Sequence, residues 1–119
     1  MNIFTNKDKY NDEETQRFIQ KVLLSVANPT FFATLNTNNK ERLIYYIKIY
    51  TKECLDIVEN NNIENEILKQ NLLLIASNII LIKKLNEDTK KRLNDFVKSY
   101  TKECLDKIEK HPYKRILSQ

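Results

Sequence analysis

The chain has 119 residues and a mass of 14.2 kDa, enough for one domain over 1–119 with a single core. Hydrophobic residues at 41%, charged residues at 30% and a net charge of +4 describe an ordinary soluble chain that permits an acidic partner without requiring one. The absence of glycine removes phosphate-cradling loops, nucleophile elbows and type I′ hairpins, and one His with two Cys falls short of a four-ligand structural zinc site.

The first ten residues are polar and lack the charged-then-apolar pattern of a signal peptide. A first helix is predicted at 12–27, where Asn11 stands three residues before Glu14 as a capping box and Phe18, Val22, Leu23 and Val26 recur at helical spacing. Asn28-Pro29-Thr30 breaks it, because proline disfavours helix in the residue before it and removes a donor. A short helical piece at 30–35 carries Phe31, Phe32 and Leu35. The second long helix, at 39–59, opens on Asn38…Glu41 and places Leu43, Ile47, Tyr50, Cys54 and Ile57 on one stripe. Asn61…Glu64 opens a third at 62–85, with Ile63, Ile67, Leu74 and Ile75 in its stripe. Its stretch from Leu72 to Ile82 is apolar on almost every face, so it is expected to be central and to run unbroken through Asn78-Ile79-Ile80, with Leu73 and Ile79 buried. Glu87 and Asp88 open a fourth at 88–110, striped by Leu93, Val97, Tyr100, Cys104 and Ile108. His111-Pro112 ends it and leaves a basic tail at 111–119.

The strongest signal is a duplication. Tyr50-Thr51-Lys52-Glu53-Cys54-Leu55-Asp56 recurs fifty residues later as Tyr100-Thr101-Lys102-Glu103-Cys104-Leu105-Asp106, and 18 of the 40 positions from 20 to 59 match their partners without a gap. The expected fold is all-α: two tandem helix-hairpin repeats, one at about 12–59 and one at about 62–110, with short junctions that favour antiparallel neighbours. They pack as an antiparallel four-helix bundle or, alternatively, stack as a two-layer α-solenoid fragment. In the second form the paired helices resemble HEAT-type units, whose period is somewhat shorter; no motif carries the likeness further.

The copies differ on one helix face. Ile44, Tyr45 and Ile49 correspond to Asn94, Asp95 and Ser99, so the second helix carries an apolar strip its duplicate lacks. The strip is covered by the N-terminal arm (Ile3, Phe4, Tyr10) or by Phe31-Phe32, or it is a homodimer interface, or a docking face for another protein. The polar residues shared by the two heptamers are solvated helix faces or a surface that binds something twice.

No catalytic constellation stands out. Cys54 and Cys104 sit on apolar stripes and read as small core hydrophobes, with no base beside them. The acidic residues lack the Glu-x-x-His motifs of a bundle di-metal site. Neither cofactor, metal nor small-molecule substrate is expected, and the chain is expected to be non-enzymatic. With no run of 18 apolar residues, no membrane association is expected, and the two cysteines suit a reducing cytoplasm. The leading expectation is a small helical protein–protein interaction module, an adapter, inhibitor or self-associating scaffold, using Ile44, Tyr45 and Ile49. The alternative is a nucleic-acid-binding module using the basic turn (Lys90, Lys91, Arg92) and the end of the chain (Lys110, Lys114, Arg115).

Overall fold

The computed structural model describes residues 12–60 and 65–111. Those residues form six helices and no strand: α1 (Glu13–Ser25), α2 (Pro29–Thr34), α3 (Thr37–Asn60), α4 (Glu66–Ala76), α5 (Ile79–Ile82) and α6 (Glu87–Lys110). The all-helical class expected from the sequence is what the structure has. Residues 1–11, 61–64 and 112–119 lie outside the description, and with them the arm residues Ile3, Phe4 and Tyr10, the caps expected at Asn11 and Asn61, and Ile63.

Short polar side chains start these helices, each accepting a backbone amide of the first turn. Asp12 accepts from the Glu14 amide at 3.0 Å and from the Thr15 hydroxyl at 2.8 Å, while Glu13 and Glu14 face the positive end of α1. Asn28 accepts from Thr30 N and puts Pro29 in the first turn of α2, where its missing N–H costs nothing. Asn36 receives the Asn39 amide at the start of α3, Asn65 the Leu68 amide of α4, and Asn86 the Thr89 amide of α6. Thus Asn36 caps α3 in place of Asn38.

The third helix does not run through. Ser77 and Asn78 interrupt it, and Asn78 Oδ1 accepts from Ile80 N and Leu81 N to begin α5. The Asn78 Nδ2 donates to Val26 O at 3.1 Å, so the buried side chain ties this break to the end of α1. A capping side chain with a second tertiary bond outweighs the helix preference of the flanking isoleucine and leucine. In consequence Ile79 turns outward, 65% exposed, instead of into the core, and Leu73 is half-buried.

As expected of its apolar faces, α4 is central, meeting α1, α3, α5 and α6. Its Leu68, Leu72 and Ile75 join Leu23, Ile47, Leu55 and Leu93 in one core. The most extensive contact is between α1 and α4, followed by α3 against α6. Along the first seam Asn71 donates to Gln16 O (3.0 Å), Gln20 to Gln70 (3.0 Å) and Asn78 to Val26 O, so partners stay 50 to 55 residues apart and α1 runs beside α4 in the same direction. Along the second, Lys48 and Ile49 border Leu85 and Asn86, while Asp56 and Glu59 meet Arg92. Thus α6 runs along α3 in the same sense, displaced toward its C-terminal end.

Candidate interaction surface

Between α1 and α3 lies an open groove of about 800 Å³. Phe18 and Val22, one turn apart on α1, form one wall, and Tyr45 and Tyr46 on α3 the other. All four are exposed, and the tyrosine rings meet edge to face at 5.4 Å. Lys21 and Arg42 also line the groove, and among the described residues no Asp or Glu does. Lys21 Nζ lies 5.4 Å from the Phe18 ring centroid, and Arg42 Nη1 donates to Asn39 at 3.2 Å.

At its floor the groove reaches Tyr50. The buried Tyr50 hydroxyl donates to Gln16 Oε1, and Asn71 Nδ2 donates to both that hydroxyl (3.1 Å) and Gln16 O. Burial drives the Tyr50 ionisation far above the usual tyrosine range. Asn71 Oδ1 is buried without a hydrogen-bond partner among the described residues.

The expected strip of Ile44, Tyr45 and Ile49 divides. Ile44 and Ile49 are half-buried against the core, while Tyr45, 58% exposed, faces the groove. Of the candidate covers, Phe32 is buried in the core and Phe31 is exposed. Phe18 and Val22, placed on the core stripe by spacing alone, belong to the surface; their partners fifty residues on, Leu68 and Leu72, are the ones in the core. Spacing defines a stripe but not whether anything packs on it.

The basic turn is partly engaged. Arg92 forks onto Glu59 (Nη2–Oε1 2.7 Å, Nε–Oε2 3.1 Å) and also reaches Asp56 at 2.6 Å, while Lys90 pairs with Glu87 at 3.2 Å. Lys91 and Lys110 are exposed, and Lys114 and Arg115 lie outside the described residues. The Arg92 fork gives Asp56 a role in the first heptamer, and Thr51 gains one by donating to Ile47 O at 2.6 Å in the core. In the second heptamer Asp106 pairs with Lys102 of its own helix (2.9 Å), and Thr101 is exposed.

Both cysteines are free thiols; Cys54 is buried and Cys104 half-buried. Burial pushes the Cys54 thiol well above the ordinary thiol range, which keeps it an inert hydrophobe. Among the described residues no three or more His, Cys, Asp or Glu side chains gather as metal ligands, and no helix is long and apolar enough to cross a membrane. Comparison with known proteins finds no matching family model, curated protein or solved structure.

Proposed function

We propose that this chain is a non-enzymatic protein–protein interaction module whose binding surface is the α1–α3 groove, and that its two halves stack as two layers of a helical solenoid fragment rather than close as a four-helix bundle. The observation that carries the functional reading is the joint exposure of Phe18, Val22, Tyr45 and Tyr46 along one groove. Tyrosine and large apolar side chains gathered in a concave site are what a docked helix desolvates. The stacking is supported by the pairing of α1 with α4 and of α3 with α6, each pair running in one direction, and by α3 and α6 beginning and ending fifty residues apart. The Cys54 thiol is sealed in the core with its ionisation raised, the opposite of what a nucleophile needs. A nucleic-acid reading draws less support, because Arg92 is already committed to Asp56 and Glu59.

A photo-crosslinking residue at position 45 tests this, with the exposed position 94 as control, in an extract of the source cells. Protein adducts at 45 that Val22→Glu abolishes, without adducts at 94, are the expected result. Adducts to nucleic acid, or equal yields at both positions, would overturn it.

A further inference from the structure

We propose that the groove's occupant is helix α6 of a second copy of this chain, so that copies add head to tail. The inference rests on the protein-binding reading of the groove and names the partner.

The argument starts from what is buried in one half and exposed in the other. On the leading side, Phe18, Val22 and Phe31 are 56%, 46% and 59% exposed, while their counterparts Leu68, Leu72 and Leu81 are no more than 1% exposed. On the trailing side the asymmetry reverses. Leu105 is 52% exposed and Thr101 is exposed, whereas Leu55 and Thr51 are wholly buried; Cys104 is half-buried where Cys54 is sealed. Each half therefore keeps large side chains at the positions that the other half uses to meet it. Among the described residues the two outer faces are open, and the contact between the halves shows how such faces fit together.

The polar clamp of that internal contact is also present at both open faces. Inside the chain, Arg92 of the second half holds Asp56 and Glu59 of the first. Arg42, the counterpart of Arg92, lines the groove on the leading side, and Asp106 and Glu109, the counterparts of Asp56 and Glu59, lie along α6 on the trailing side. Among the described residues Asp106 pairs with the exposed Lys102, an i,i+4 contact of small worth that is readily exchanged. The groove's cations, Lys21 and Arg42, oppose a symmetric contact of two grooves, since like charges would meet, and favour an occupant that brings carboxylates. The α6 face brings them beside Leu105 and Ile108. This accounts for the match at Thr51 and Asp56: they belong to one joint that is closed between the halves and, among the described residues, open on the far face of α6. Lys107, standing where Ile57 is buried, makes the joint between copies weaker than the one inside. Because leading and trailing faces differ, the association is heterologous and is not limited to a dimer.

Sedimentation of the purified chain from about 1 μM to about 1 mM tests this. The wild-type mass is expected to rise with concentration past the dimer. Arg42→Glu and Leu105→Glu, both at exposed positions, are each expected to remain monomeric at unchanged helicity, and their equimolar mixture is expected to form a 1:1 heterodimer that grows no further. A combined Arg42→Glu, Asp106→Arg, Glu109→Arg chain, with the clamp reversed, is expected to associate again. A wild type that stays monomeric throughout, or a mixture of the two single variants that stays monomeric, overturns the proposal. In that event protein adducts at position 45 would still stand for a different partner, so the two ideas fail separately.

Discussion

Tyr100 donates its hydroxyl to Glu66 at 2.5 Å, and thirty-four residues likewise separate Tyr50 from the Gln16 it donates to. Equivalent positions pair once in each half, buried and onto an amide oxygen in the first, near solvent and onto a carboxylate in the second, so the two bonds differ in surroundings and in acceptor charge. Tyr50→Phe leaves Gln16 and Asn71 short of a partner in the core and is expected to cost roughly 1–3 kcal/mol. Tyr100→Phe removes a bond that water replaces and is expected to cost about 0.5 kcal/mol or less. Urea unfolding followed by circular dichroism reads both, and equal losses would show that burial is not what sets the difference.

Tyr50 and Cys54 are one turn apart on α3, and burial raises both ionisations; a charged Cys54 raises that of Tyr50 further, whereas the Tyr50 hydroxyl, by bonding to the sulfur, offsets part of the rise at Cys54. Both are acids whose folded values exceed their unfolded ones. Their contribution is therefore whole below the unfolded values, about 8.5 for a thiol and about 10 for a tyrosine, and is lost as pH climbs past them. Stability is expected to fall by roughly 2–3 kcal/mol between pH 8 and pH 10.5 through Cys54 alone. Cys54→Ala, though less stable at neutral pH, is expected to show a flatter alkaline decline. Melts at several pH values check the slope, and parallel curves for the two proteins would remove the thiol from the account.

The same burial separates the thiols by access. A disulfide reagent at pH 8 is expected to modify Cys104 in the folded chain and Cys54 only once the chain unfolds. One fast thiol per chain, absent in Cys104→Ser, is the readout. Two fast thiols would mean that the α3 stripe opens on the timescale of the reaction.

Much of this arrangement is legible in the residues. The fifty-residue offset aligns Asn28 with Asn78, and both cap a short helix, although the isoleucines that follow Asn78 point to an unbroken helix there. The α3 stripe is buried at Ile47, Tyr50, Cys54 and Ile57, as its spacing implies, and half-buried at Leu43, whereas on the matching α6 stripe Leu93 is buried, Val97, Tyr100 and Cys104 are half-buried and Ile108 is exposed. Exposure is where the periodicity stops informing, because it marks a face as apolar and leaves open whether a neighbour arrives. Phe18 and Leu68 share one register position, yet only Leu68 has a layer packed over it. The comparison of copies does find Tyr45, since Asp95 replaces it, but it groups Tyr45 with Ile44 and Ile49, whose side chains turn toward the core. Three residues on adjacent turns of one helix divide between two surfaces once helices pack on both sides of it.

The break at Asn78 is the feature that helix propensity most misleads on, and it is testable. Asn78 accepts from two amides of α5 and donates to Val26 O, so its side chain serves a cap and a tertiary tie together. Asn78→Ala removes both and leaves the Val26 carbonyl without this donor, for an expected loss of roughly 2–3 kcal/mol. Ile79 beside it is exposed, so Ile79→Ala is expected to cost about 0.5 kcal/mol or less, whereas Leu72→Ala in the core is expected to cost roughly 2–5 kcal/mol. Chemical denaturation of the three variants ranks them. A continuous helix from Leu72 to Ile82 predicts the reverse order for 78 and 79, since alanine would then improve the helix at 78 and a buried isoleucine would be lost at 79.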